Sequence, residues 1–146
     1  MPLSFSELSG RYNELWRETS ALYEAWARQN GLSYHELLVV LSIAQARGPC
    51  TQKTICAQWA VPKQTVHSVL QGFLARGLVR LCPAPGDRRN KQIECTPQGR
   101  AFFESTAQKL DAHEAAVWRR MGAQQSEALL ACTALYNRFF REECAP

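Results

Sequence analysis

Residues 51–95 read TQKTICAQWAVPKQTVHSVLQGFLARGLVRLCPAPGDRRNKQIEC. Thr51 is a helix N-cap candidate, because its hydroxyl can take up a backbone N–H that has no partner inside the helix, and a short helix through Ile55 to about Trp59 follows it. Pro62 suits the first turn of a second helix, where its missing N–H costs nothing. In that helix Val66, Val69, Leu70, Phe73 and Leu74 share one face, Lys63, Gln64, His67, Ser68 and Gln71 share the other, and Gly77 ends it. A strand at 78–82, a turn-rich basic segment at 83–90 and an alternating strand at 91–95 then read as a β-hairpin. Two short helices, a tight turn and a hairpin with a basic tip make a winged helix-turn-helix, whose second helix enters a DNA major groove.

The flanks on both sides read as helix. Ser4 and Glu7 form an S-x-x-E capping box ahead of apolar residues at Phe5, Leu8, Tyr12, Leu15, Leu22 and Trp26, a three-four spacing that runs to about Asn30-Gly31. A second box, Ser33 to Glu36, opens a helix carrying Leu37, Leu38, Leu41 and Ala44, stopped by Gly48-Pro49. After the hairpin, Thr96-Pro97 starts a long helix with Phe103, Thr106, Leu110, His113 and Val117 on one stripe. Gly122 interrupts it, and a sixth helix carries Leu129, Thr133, Tyr136 and Phe140. The expected class is mainly α (α+β): one domain over 1–146, with a winged helix-turn-helix lobe at 33–100 and helical dimerisation regions at 1–32 and 101–146. The outer helices carry more apolar surface than one small lobe can cover, which predicts a homodimer, the commonest closed assembly.

Composition narrows the function. The stretch from Arg47 to Arg100 holds nine Lys or Arg against Asp87 and Glu94, a net charge of +7, while the rest of the chain has eight basic and eleven acidic residues, a net of −3. A basic centre between acidic flanks suits a phosphate-binding surface on a near-neutral scaffold. The N-terminus shows no basic region followed by an apolar run, and no stretch has the ~18 apolar residues of a membrane span, so a cytoplasmic protein without a membrane partner is expected. In that compartment the six cysteines are expected as reduced thiols. Their spacings lack C-x-x-C pairs, and His35, His67 and His113 are far apart, so neither a metal nor a cofactor is expected. No G-x-S-x-G, P-loop or H-E-x-x-H pattern is present, and no enzymatic activity is expected.

The expected partner is double-stranded DNA. Gln64 and Gln71 suit adenine edges or backbone, Lys63 suits guanine or phosphate, and Thr65, His67 and Ser68 suit phosphates or bases. Thr51 and Lys53 at the start of the preceding helix, and Lys91 on the hairpin, complete the candidate contact set. Arg88 and Arg89 at the hairpin tip suit the negative potential of a minor groove. Asp87 beside them would repel phosphate if left free, so it is assigned to hold a neighbouring arginine through a charge-assisted bond. A turn centred near Arg88 and Arg89 would set Cys82 opposite Cys95, with Cα atoms ~4.5 to 5.5 Å apart and a disulfide within reach. The weightier reading of that pair is two small apolar fillers with inert thiols.

On these residues the sequence resembles the MarR family of bacterial regulators. The wing Asp87-Arg88-Arg89 matches that family's Asp-x-Arg, and Thr96-Pro97-Gln98-Gly99 matches its following Thr-x-x-Gly. The likeness extends upstream through Gln64-Thr65-Val66 and Ala75-Arg76-Gly77-Leu78-Val79. Cys95 departs from it, standing where the family usually has leucine, and an N-terminal helix without cysteine departs from its peroxide-sensing branch. The resemblance implies a homodimer, with Arg89 in the minor groove and Asp87 pairing to it, and two recognition helices reaching successive major grooves predict a pseudo-palindromic operator. It also implies a site for a small aromatic or anionic effector between dimer base and lobe, near Tyr12, Trp16, Tyr34 and His35. The function expected is a sequence-specific transcriptional regulator, a repressor tuned by such an effector. The alternatives are a redox- or metal-responsive regulator using its cysteines, and a winged-helix protein-interaction module that does not bind DNA.

Overall fold

The computed structural model describes residues 1–145; Pro146, the end of the expected 1–146 domain, lies outside the described residues. The elements run α1 (Phe5–Gln29), α2 (Tyr34–Gln45), α3 (Gln52–Trp59), α4 (Lys63–Ala75), β1 (Val79–Ala84), β2 (Asp87–Cys95), α5 (Pro97–Met121) and α6 (Ala123–Glu143). The order is the one the sequence predicts, with helix ends displaced by a residue or two. The expected class holds: mainly α, with one two-stranded antiparallel sheet.

Local chemistry explains the helix starts. Ser4 and Ser33 each accept a bond from the backbone N–H three residues on, and Glu7 and Glu36 bond back to the cap backbone, so two otherwise unpaired donors are satisfied at each end. Thr51 does the same for α3, with Thr54 in the reciprocal role. The left-handed turn after α3 falls on Ala60, at φ 52°.

Contacts divide the chain into two units, Met1–Ala107 and Gln108 onward, with the division inside α5. In the first unit α2 is the central helix: Leu37 through Ile43 are all buried, so it has no solvent face over those two turns. Around it Ala27 and Leu32, Ile55, Val66, Leu70 and Phe73, Leu78, Val79 and Ile93 close the core. The rings of Phe73 and Phe103 meet at 5.4 Å between centroids, fastening α4 to the first turns of α5. Arg76 lies over the Phe102 ring at 5.2 Å and repeats that link at the end of α4.

The junction between β2 and α5 has a steric cause. Thr96 Oγ1 donates to the carbonyl of Gly77 at 2.7 Å and accepts from the N–H of Gly99 at 3.0 Å, capping α5 while tying it to the end of α4. A Cβ on Gly99 would stand 1.7 Å from the carbonyl oxygen of Leu78, so this helix start can pass the chain before β1 only without a side chain there. In the second unit the side chains of α6 are almost all exposed, and Leu129, Leu130, Leu135, Tyr136, Phe139 and Phe140 form its uncovered apolar surface. No helix among the described residues is long and apolar enough to cross a membrane.

Candidate nucleic-acid interface

The hairpin differs from the sequence expectation in where it turns. Ala84 pairs with Asp87, so Pro85 and Gly86 form the loop, and Gly86 takes φ 78°, the left-handed conformation that glycine adopts without strain. The ladder then slips. Pro83 pairs with Lys91, leaving Arg88, Arg89 and Asn90 on β2 without ladder partners. Asp87 resolves the cost: its Oδ1 accepts from the backbone N–H of Arg89 at 3.0 Å and of Asn90 at 3.4 Å. Asp87 therefore shapes the wing through the main chain, and the expected pairing of its carboxylate with an arginine guanidinium is corrected.

The same register separates the two hairpin cysteines. Cys82 faces Gln92 and Cys95 faces Val79, so the two are three register positions apart and on opposite faces of the sheet. The expected opposition of Cys82 and Cys95 is overturned, because the turn lies three residues earlier than the charge cluster suggested. Glu94 beside Cys82 pushes its thiol up from the ordinary value, and burial does the same for Cys95 and Cys50.

A third segment joins the sheet. Ile93 donates its N–H to the carbonyl of Cys50 at 2.8 Å, and Thr51 bridges to Gln92, so the entry to α3 runs beside β2. Thr51 itself is buried, with its hydroxyl used in the α3 cap. Its assignment to the DNA-contact set is corrected on that ground.

Between α3, α4 and the wing lies a cleft of about 540 Å³. It collects Lys53, Lys63, His67 and Gln71 from the helices and Asp87, Arg89 and Lys91 from β2. Among the described residues none of the cations Lys53, Lys63, Arg89 and Lys91 enters an ion pair, unlike Arg28, Arg100 and Arg138, which pair with Glu24, Glu104 and Glu142. Asp87, the carboxylate on this wall, spends its oxygen on two backbone donors. With four cations against the one carboxylate the cleft keeps a net positive charge, the electrostatic requirement for holding phosphates. Arg88 stands exposed outside it, so the two adjacent arginines differ in position.

Of the remaining candidates on α4, Gln64 and Ser68 lie exposed outside the cleft, and Thr65 is half-buried. Gln52 was missed by sequence reasoning. It lines the cleft, and its Nε2 donates to the carbonyl of Lys63 at 3.1 Å, tying the first turn of α3 to the first residue of α4. An uncharged residue one place after a cap gives no signal in sequence; only the approach of the two helices reveals its use.

The four aromatic candidates fall in two places. Tyr34 and His35 open α2 with rings 5.8 Å apart. Tyr12 and Trp16 lie on α1, roughly 20–25 Å along the helix axis before its end at Gln29, counting 1.5 Å per residue. The cleft described above touches none of the four, nor does a second cavity of about 220 Å³ beside Arg47, Cys50 and Gln58. Among the described residues no group of three or more His, Cys, Asp or Glu is placed to hold a metal ion.

Comparison with known proteins agrees with this geometry. Residues 30–90 match the sequence model described as MarR family. The HTH-type transcriptional repressor NicR of Pseudomonas putida is 34% identical over 67 residues, which are 46% of this chain and 42% of that protein; the chain thus spans less than half the length of this relative. Among solved structures, NMB1585, a MarR family regulator from Neisseria meningitidis, superposes with a TM-score of 0.76 at 23% identity, over 98% of this chain and 97% of that one. BpsR of Bordetella bronchiseptica, whose DNA binding is regulated by 6-hydroxynicotinic acid, superposes with a TM-score of 0.72 at 20% identity, over 94% and 98% of the two chains. Residues 30–90, which build most of the lobe around the basic cleft, therefore match the MarR family, and the chain has the winged helix-turn-helix fold of the MarR regulators it superposes on.

Proposed function

We propose that the chain is a sequence-specific DNA-binding transcriptional regulator, a repressor, which acts in the cytoplasm as a homodimer on a pseudo-palindromic operator. The observation that carries this reading is the cleft between α3, α4 and the wing, lined by four cations that enter no ion pair among the described residues. A recognition helix flanked by a basic wing places phosphate contacts beside base contacts, the division of labour that specific DNA binding needs. The apolar residues left uncovered on α1, among them Phe5, Leu15 and Trp16, and on α6 support a second copy as partner. Two lobes on one face of a duplex would place half-sites one helical turn, ~34 Å, apart.

An effector of small aromatic or anionic chemistry is the proposed input, supported by the nicotinic-acid derivative named for BpsR. The pair Tyr34–His35 offers stacking surface for such a ligand, with Tyr12 and Trp16 as the further candidates on α1.

A mobility shift on the DNA upstream of the protein's own gene, repeated from 50 to 200 mM salt, tests the reading. Specific retardation that weakens by several powers of ten across that range is expected of a protein neutralising six to ten phosphates. Retardation that ignores salt, or none at any salt, overturns it.

A further inference from the structure

The buried stripe of α4 is Val66, Leu70 and Phe73. At about 100° per residue Gln64 and Ser68 fall opposite that stripe, with Gln71 between them and the cleft side, all three exposed. The Ser68 hydroxyl donates back to the carbonyl of Gln64 at 3.0 Å, so its proton is already used. Gln52 bonds to Lys63 and Gln58 accepts from Ser42, whereas the exposed amides of Gln64 and Gln71 have no hydrogen-bond partner among the described residues. Lys63, His67 and Gln71 line the cleft, and the strip of α4 that carries Gln64, Ser68 and Gln71 itself holds no charged side chain. That face holds neither the guanidinium or ammonium that favours guanine nor the carboxylate that favours cytosine. A glutamine amide, with one acceptor and two donors, matches the N7 acceptor and N6 donor of adenine. Gln64 and Gln71 are seven residues apart, a rise of about 10 Å, against ~3.4 Å per base-pair step.

We propose that Gln64 and Gln71 each read one adenine in the major groove through paired bonds to N6 and N7, so that every half-site carries two A·T pairs about three steps apart. This specificity rests on the DNA-binding reading above and goes beyond it by naming the bases. Arg89 and the cleft lysines set affinity; these two amides set the sequence.

The test is selection from a randomised duplex library by the full-length wild-type protein, Gln64→Ala and Gln71→Ala, each first checked for unchanged helicity. Wild type is expected to enrich A·T pairs at two positions per half-site, about three steps apart. Each variant is expected to lose the preference at its own position alone, so that a roughly 5- to 150-fold penalty for replacing that A·T pair falls close to one. Placing 7-deazaadenine at either position, which removes N7, should weaken wild type and leave the matching variant unaffected. Variants that keep the wild-type preferences, or that weaken every duplex equally as a phosphate contact would, overturn the assignment while leaving DNA binding intact. A wild-type protein that retains no duplex from the library overturns both.

Discussion

At Gly99 the requirement for glycine is steric rather than conformational. A methyl group there meets the Leu78 backbone at a distance no packing adjustment absorbs, so the start of α5 must shift away from the strand entry. We expect Gly99→Ala to cost roughly 2–4 kcal/mol, a melting temperature lower by roughly 5–15 °C for a chain of this size. Gly48→Ala, into open space, should stay within about 0.5 kcal/mol. Equal melting curves for the two variants in calorimetry would remove the close approach from the account. The cysteines give a second outcome at this scale. Burial pushes the Cys50 thiol above its ordinary value of 9.0, so the folded state favours the protonated form. Its contribution to stability is complete below that ordinary value and is lost as pH rises through the folded value. Exposed Cys144, beyond the end of α6, should therefore alkylate first near pH 8, and Cys50 last, in a time course read by mass spectrometry. Modification of Cys50 at the rate of Cys144 would contradict its burial.

The wing shows how a defect in an element's own ladder places a side chain. Three residues of β2 are left unpaired, and one carboxylate oxygen stabilises two of the exposed N–H groups, which holds Arg89 on the cleft side. Arg89→Ala should weaken operator binding and reduce the slope of log affinity against log salt by about one, because one phosphate-neutralising contact is lost. Lys109→Ala, on an exposed position of α5, is the control and should leave both unchanged. Neither substitution should alter stability by more than about 0.5 kcal/mol, since both side chains are exposed. Two superimposable salt titrations would take the wing out of the interface.

At the scale of the whole molecule the unusual feature is apolar surface without cover. Phe5 is 89% exposed and Trp16 64%, and on α6 Leu130 and Phe140 are each 61% exposed. Large side chains spaced along whole helices in this way are surface that a stable soluble protein covers with a partner. Light scattering on the purified protein should report twice the chain mass, and Phe140→Asp should shift the population toward monomer. A wild-type monomer at micromolar concentration would defeat the dimer and, with it, the ~34 Å half-site spacing.

The element order, the caps and the basic segment were legible in sequence, because each rests on neighbours a few residues apart. A capping box needs Ser33 and Glu36, and an amphipathic helix needs apolar residues three and four apart. The same locality made the identity of the lobe readable from Asp87-Arg88-Arg89 and Thr96-Pro97-Gln98-Gly99. Hairpin register was not legible: it depends on which of several Pro, Gly and Asp residues makes the turn, and Pro85-Gly86 displaced the expected centre at Arg88 and Arg89. That displacement alone separated Cys82 from Cys95. Tertiary contact also removed Thr51 from the surface by pairing it with Gln92, and it gave Gln52 a partner eleven residues away. Spacing along the chain determines what a residue can do within its own helix or turn; what it faces is decided by packing between elements, which local periodicity does not encode.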